Sequence, residues 1–300
     1  MPLGVTAVML PELDFQQQIE LCRKARVSHY SWRPRIIPPD QRDKPPSPWG
    51  RHEFDLTPKR LLEQATELRS RLEDAGLTSF GTLPSASVQQ TDDELKIHFE
   101  GAAAVAAGRV RVGPLTYPAG SFDYGELLHK TIERYGQVVD IARRFGQKIV
   151  IETHCRSQAT SPALALNICE AFDPSDLGVI FDINNFMIEG GLQPNLAVAV
   201  LNKYIDHCHV GAARRTDGER DAMGFRTDAF EMCSLPDGDM HMPTWVRALH
   251  DAGLRVPLII ENFATHAPSA QCLAESADQL RHIQITVRDA ATVADTGNQV

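Results

Sequence analysis

The sequence KIVIETHCRSQATSPALALNICEAFDPSDLGVIFDINN, residues 148–185, contains the unit that decides the fold. Its β-branched and apolar run at 148–154 predicts a strand, and the Thr or Ser before Pro in TSP, 160–162, marks the start of a helix. The apolar run at 178–184 predicts the next strand. The order of strand, helix and strand is typical of a βαβ unit with parallel strands.

This unit of apolar run, polar turn and amphipathic stretch recurs eight times along the 300 residues. Eight units predict an α/β protein with a closed (β/α)8 TIM barrel, because a doubly wound sheet more often has about five or six strands and a Gly-rich first turn. We expect a single TIM-barrel domain over residues 1–300, with a flexible C-terminal tail at about 289–300. The predicted strands are 3–10, 27–33, 77–83, 109–115, 148–154, 178–184, 205–211 and 256–263.

Helical periodicity separates the predicted strands. Apolar residues that recur every three or four positions predict helices over 61–75 and 128–145. Gly76 and Gly146 directly follow these stretches, where a glycine ends a helix without strain.

Two connections in the chain are long, namely 34–55, which is rich in proline, and 212–242. Both follow predicted strands, so a barrel would place them on the C-terminal face, where active sites are built. We interpret them as lid or specificity loops, although a Pro-rich loop is more often plain surface structure.

Composition narrows the function classes. The chain has 30 Lys and Arg against 39 Asp and Glu, a net charge of −9, which argues against a nucleic-acid partner. No apolar run approaches the roughly 20 residues of a membrane helix, so no membrane partner is expected. The six cysteines form no CxxC pair and the N-terminus lacks a signal-peptide pattern, which favours the cytoplasm.

Each of the last four predicted strands ends in a side chain that can bind a metal ion: Glu152, Asp182, His209 and Glu261. In a parallel barrel these strand ends converge on one rim. Any one of them alone would more simply cap a helix or pair with an arginine, but four buried ionisable groups together require compensation. Three carboxylates and one imidazole suit Mn²⁺, Mg²⁺ or Co²⁺ better than an ion that prefers thiolates.

These four residues and their strand contexts resemble the xylose isomerase-like TIM barrels, a family of sugar phosphate isomerases and epimerases that includes ketose 3-epimerases and hydroxypyruvate isomerases. That family binds its metal with Glu, Asp, His and Glu at the ends of strands five to eight, the order found here. The resemblance covers most of the chain and is strongest over 148–263. It implies a small sugar substrate and leaves a homo-oligomer open, since the family often forms dimers or tetramers.

The resemblance also implies a mechanism. The protein would be a divalent-metal-dependent isomerase or epimerase, with Mn²⁺ as the first choice of metal, that abstracts a proton from a keto- or oxo-sugar through a metal-stabilised enediolate. Glu152 and Glu261 would act both as metal ligands and as acid and base on opposite faces of the substrate carbon.

Further residues match the family pattern in part. The epimerase pattern H-x-G-x-x-x-R reads His209, Gly211 and Arg215, so Arg215 would hold substrate oxygens, with Arg214 as an equally placed competitor. Asn185 stands where the family pattern D-x-x-H has a substrate-binding histidine. It can bind a hydroxyl group but cannot supply a proton.

Three more side chains complete the predicted site. His154, two residues after Glu152, is either a catalytic group or a cap of the following turn. His241 lies in LPDGDMHMPTW, 235–245, which resembles a family segment before the last helix, and it would bind substrate. Trp32, at the end of the second predicted strand, is a further substrate-binding candidate.

Other functions stay open at this point. A lyase or dehydratase of the same barrel would dehydrate an oxo-sugar or inosose, or eliminate the aglycone of a 3-oxo-glycoside, and the combination of Asn185 with His154 leans slightly towards it. An endonuclease IV-like phosphodiesterase would need a histidine-rich cluster of several metals and a DNA-binding face. A non-catalytic scaffold is disfavoured by the intact set of four ligands.

Overall fold

Eight parallel strands close into a barrel in the computed structural model, which describes residues 1–189 and 192–297, with side chains up to residue 291. Each barrel strand pairs with the next one along the chain, and the last pairs with the first. The predicted (β/α)8 TIM barrel is therefore confirmed. The barrel strands are β1 (Leu3–Thr6), β2 (His29–Trp32), β3 (Thr78–Thr82), β4 (Arg109–Arg111), β5 (Lys148–Glu152), β6 (Leu177–Asp182), β7 (Ile205–Val210) and β10 (Leu258–Ile260).

Helices connect these strands throughout the described part of the chain. They are α1 (Phe15–Lys24), α2 (Pro58–Glu63), α3 (Ala65–Asp74), α4 (Asp92–Ala104), α5 (Tyr124–Arg144), α6 (Pro162–Cys169), α7 (Ile183–Ile188), α8 (Pro194–Leu201), α9 (Met242–Asp251) and α10 (Ser269–Gly297). Gly76 and Gly146 follow α3 and α5 with φ of +72° and +64°. Glycine adopts this left-handed conformation without strain, which explains both helix ends.

Two predicted elements differ in extent. The strand predicted at 3–10 ends at Thr6, because residues 7–9 turn into a short 3-10 helix. The helix predicted at 61–75 is two helices, since Gln64, with φ −103° and ψ 4°, leaves the helical conformation between α2 and α3.

The last helix occupies much of the segment predicted as a tail. Residues 289–297 continue α10, and residues 298–300 lie outside the described residues, so the flexibility of the tail stays a prediction. None of the described helices combines the length and the apolar character that crossing a membrane would need.

The long connection at 212–242 contains an antiparallel hairpin rather than an irregular loop. Its strands are β8 (Ala213–Arg220) and β9 (Arg226–Met232), paired from Ala213 with Met232 to Arg220 with Arg226. The hairpin is largely exposed and rich in charged residues. Because neither of its faces enters the core, it lacks the apolar alternation by which a strand is predicted.

Buried ion pairs close the N-terminal end of the barrel. The Asp206 carboxylate lies 2.7 Å from Nε of Arg109 and 2.8 Å from Nζ of Lys148. Burial raises the pKa of Asp206, but His207, Arg109 and Lys148 together hold that pKa below its usual range. Asp206 therefore stays charged and binds the starts of β4, β5 and β7 together.

We expect Asp206→Ala to lower the free energy of unfolding by about 3–5 kcal/mol, because it leaves two partly buried cations without their partner. Urea denaturation measures this loss. The matched control is Asp217→Ala, which breaks an exposed ion pair with Arg226 on the hairpin and should cost less than about 1 kcal/mol. Equal losses in the two variants would contradict a structural role for the buried pairs.

Candidate active site

The four predicted metal ligands meet at the C-terminal rim of the barrel. Glu152 and Asp182 end β5 and β6, His209 lies near the end of β7, and Glu261 directly follows β10. One ligand atom from each lies within 4.8 Å of the others. Glu152, Asp182 and His209 are buried, and Glu261 is partly buried. This quartet is the one such group of His, Cys, Asp and Glu found in residues 1–189 and 192–297.

The imidazole of His209 lies at the centre of the quartet. Its Nδ1 is 3.2 Å from Oε1 of Glu152 and 3.1 Å from Oε2 of Glu261. Oδ2 of Asp182 lies 4.0 Å from the same nitrogen. Three carboxylate oxygens and one imidazole nitrogen therefore point into one small space.

A neighbouring residue contacts the second oxygen of each carboxylate. Thr6 donates its hydroxyl hydrogen to Oε1 of Glu261 at 3.2 Å. The backbone N–H of Asn185 donates to Oδ1 of Asp182 at 3.0 Å, which makes Asp182 the N-cap of α7. Nε of Arg111 lies 2.7 Å from Oε2 of Glu152. Each carboxylate is thus held by one oxygen and presents the other to the centre.

The quartet perturbs the pKa values of its members. Burial, and then the charge of Glu152, raise the pKa of Asp182 to about 8. Burial lowers the pKa of His209, but the Glu261 and Glu152 carboxylates outweigh it and raise that pKa to about 10. Burial also opposes the charge of Glu152, yet Arg111 and His209 hold its pKa below the usual range.

The raised pKa of Asp182 reflects its burial and the like charges of Glu152 and Glu261 beside it, which a cation at the centre would relieve. The inward atoms are hard carboxylate oxygens and an imidazole nitrogen, the donors that divalent ions such as Mg²⁺, Mn²⁺, Co²⁺ and Zn²⁺ accept. The residues present therefore fit a divalent metal ion.

A cavity of about 370 Å³ opens above the quartet. Its lining includes two arginines, Arg35 and Arg111, and two aromatic residues, Trp49 and Phe263, whose ring centroids are 4.8 Å apart. The loop predicted at 34–55 contributes Arg35 and Trp49, so this loop does reach the site.

Two predicted site residues, His154 and Asn185, line this cavity. Nδ1 of His154 donates its hydrogen to the carbonyl oxygen of Cys155 at 2.7 Å, which leaves Nε2 for a ligand. The backbone of His154 also accepts a hydrogen bond from Ser157. His154 therefore both lines the cavity and takes part in the turn, so the two interpretations of its role are compatible.

Trp32, predicted to bind substrate, is not among the residues that line this cavity. Trp32 is 0% exposed, its indole N–H donates to Oγ of Ser79, and its ring packs 5.4 Å from Phe15 of α1. Successive strand residues face opposite sides of a sheet, and at this position the side chain faces the helix layer instead of the barrel interior.

Arg215 and His241, also predicted to bind substrate, are likewise absent from the lining of this cavity. Arg215 is on β8, 3.6 Å from the Asp228 carboxylate and 5.3 Å from the Phe230 ring. The pattern H-x-G-x-x-x-R here runs onto the exposed hairpin, which carries the arginine outward. His241 binds Thr244 at the start of α9 and lines a separate surface groove.

The sequence interpretation missed Arg35, Arg111 and Trp49. Arg111 lies inside the predicted strand 109–115, where a charged residue among apolar neighbours was a usable signal of a partner in the barrel. Arg35 and Trp49 lie in an irregular Pro-rich segment, where no periodicity indicates which side chains turn inward.

Comparison with known proteins agrees with the barrel fold. A family model described as xylose isomerase-like TIM barrel matches residues 42–283, which is most of the chain. None of the curated proteins matches the chain in sequence.

Several solved structures share the fold at low sequence identity. A structure of L-ribulose 3-epimerase has a TM-score of 0.70 at 14% identity and covers 98% of both chains. The IOLI protein with a binding zinc atom has a TM-score of 0.71 at 16% identity, covering 96% of this chain and 99% of its own. The probable 3-DHS dehydratase AsbF from Bacillus anthracis has a TM-score of 0.67 at 12% identity, covering 94% and 99%.

Proposed function

The chain belongs to the xylose isomerase-like TIM barrel family, and we propose that it is a divalent-metal-dependent isomerase or epimerase acting on a keto- or oxo-sugar. The observation that carries this proposal is the arrangement of Glu152, Asp182 and Glu261, each held by one oxygen and presenting the other to Nδ1 of His209. Such a set binds a cation and leaves the cavity above it for a substrate. Mn²⁺ is the metal we expect.

A divalent ion bound by the quartet would polarise a carbonyl and a neighbouring hydroxyl group of the substrate as a Lewis acid. The protein's own part is to move the proton. Glu261 can accept or return it through its carboxylate, whose charged form Thr6 favours by donating a hydrogen bond to Oε1. Glu152 can do the same, and Arg111 beside Oε2 favours its carboxylate form.

The two glutamates reach the cavity from different sides. Their strands, β5 and β10, are separated in the barrel by β6 and β7. Proton removal by one glutamate and return by the other would invert a carbon centre, as an epimerase requires. Return to the neighbouring carbon would give an isomerase.

A lyase or dehydratase is the second candidate, favoured by His154. Its Nε2 can reach the cavity and could protonate a leaving hydroxyl group or aglycone, whereas Asn185 lacks that ability. A dehydratase also shares the fold, which makes this outcome compatible with the barrel.

Incubation of the Mn²⁺-loaded protein with oxo-sugars in D₂O separates the two candidates. We expect deuterium to enter the carbon next to the carbonyl group, because the proton passes through an exchangeable carboxyl group, and we expect no loss of water or aglycone. Nuclear magnetic resonance measures both. Stoichiometric loss of water or aglycone would replace the isomerase proposal with the lyase.

A further inference from the structure

Arg35 is a cation without a protein partner at the active site. Its side chain lines the cavity above the quartet and is partly buried, and its Nε atom is buried without a hydrogen bond. Within the described part of the chain, no carboxylate forms an ion pair with it. Among the described residues, its guanidinium makes one cation–π contact, with the ring of Trp49, whose centroid lies 6.0 Å from the guanidinium carbon.

The backbone fixes the position of Arg35. Its N–H donates to the carbonyl oxygen of Leu56 at 2.7 Å, and Pro34 forms a parallel bridge with the same Leu56. The segment therefore continues the line of β2 across the rim instead of extending into solvent. These main-chain contacts keep the backbone of Arg35 at the rim.

The charges around the cavity leave the positive charge of Arg35 unbalanced. The carboxylates of the quartet together with a divalent ion carry one net negative charge, and Arg111, 2.7 Å from Glu152, balances it. Arg35 then adds an uncompensated positive charge to the cavity. Burial, and then Arg111, lower the pKa of Arg35, although the Glu261 and Glu152 carboxylates partly offset this. A partly buried cation of this kind is costly unless a ligand pairs with it.

We propose that Arg35 binds an anionic group of the substrate, a carboxylate or a phosphate, so that the substrate is an acidic oxo-sugar and not a neutral one. The planar fork of a guanidinium matches both groups with two parallel hydrogen bonds. The oxo-sugar part and the divalent ion in the charge balance rest on the proposed function, whereas the place of Arg35 in the cavity lining and its lack of an ion pair do not.

Three hexoses with the same keto end test the anion site. D-Fructose, D-fructuronate and D-fructose 6-phosphate differ at C6, which carries a hydroxyl, a carboxylate or a phosphate group. Isothermal titration of the Mn²⁺-loaded protein should show that at least one acidic probe binds about tenfold to a hundredfold more tightly than D-fructose. The preferred probe identifies the anion. Absence of a preference for either acidic probe overturns the proposal.

Substitutions at Arg35 test whether this residue causes the preference for an acidic probe. Arg35→Met should bring the ratio of the acidic-probe affinity to the D-fructose affinity down to about one, and Arg35→Lys should retain part of the preference, because the charge remains without the fork. The control Arg226→Met removes an exposed arginine of the hairpin and should keep the preference. A preference that persists in both Arg35 variants, each with the melting temperature of the parent protein, would overturn the assignment.

Deuterium exchange with the same probes keeps the two proposals apart. Anion preference without exchange in any probe would leave the Arg35 site standing and count against the proton-transfer function. Deuterium exchange together with equal affinity for all three probes would support the proton-transfer function and overturn the Arg35 site.

Discussion

Glu261→Gln should lower the rate of deuterium exchange by about 10²–10⁴-fold, because an amide cannot take up the substrate proton. The substitution preserves the size of the side chain, and Thr6 can still donate its hydroxyl hydrogen to the amide oxygen. We therefore expect the melting temperature of the metal-free protein to change little. Exchange measured by nuclear magnetic resonance in D₂O, with saturating Mn²⁺, checks this result.

Glu152→Gln should show a similar loss of exchange and, in addition, a loss of stability, since it leaves Arg111 without its carboxylate. The matched control is Glu231→Gln, which breaks an exposed pair with Arg214 on the hairpin and should exchange at the parent rate. Because both glutamates are also proposed ligands, the metal content of each variant has to be measured alongside. Undiminished exchange in both variants would end the acid and base assignment.

Saturation with Mn²⁺ should raise the melting temperature of the metal-free protein. An ion that binds only the folded state contributes about 2.7 kcal/mol when its free concentration is 100 times its dissociation constant. For a chain of this length that corresponds to a rise of about 4 °C. Differential scanning calorimetry with and without a chelator measures the shift.

Asp182→Asn provides the control for this shift. The asparagine keeps an oxygen for the backbone N–H of Asn185, so α7 remains capped, but it removes a charged ligand. The Mn²⁺ shift should largely disappear. A shift of the same size in Asp182→Asn would mean that the ion binds elsewhere on the protein.

The barrel and the quartet could be predicted because both leave strong signals in the chain. Buried parallel strands are continuous apolar runs, and an ionisable residue at the end of such a run is conspicuous. Since barrel topology brings the strand ends together, Glu152 and Glu261 could be placed at one centre although they are far apart in sequence.

The placements that sequence reasoning did not predict also have physical reasons. Both faces of the hairpin of β8 and β9 are largely exposed, so no apolar periodicity in the sequence indicates it. Arg215 lies on this hairpin and not on the barrel rim. Trp32 was misplaced because inward and outward positions alternate along a strand, and a shift of one residue reverses the direction. Arg35 and Trp49 depend on the path of an irregular loop, which only tertiary contacts such as the Leu56 bridge determine.

Anomalous scattering from a crystal of the protein soaked in MnCl₂ tests the central claim most directly. We expect one strong peak inside the quartet, about 2.0–2.4 Å from Nδ1 of His209 and from the inward oxygens of Glu152, Asp182 and Glu261. Saturating Mn²⁺ that leaves the quartet without a peak, or a peak only elsewhere on the protein, would contradict the metal centre and the chemistry proposed for it.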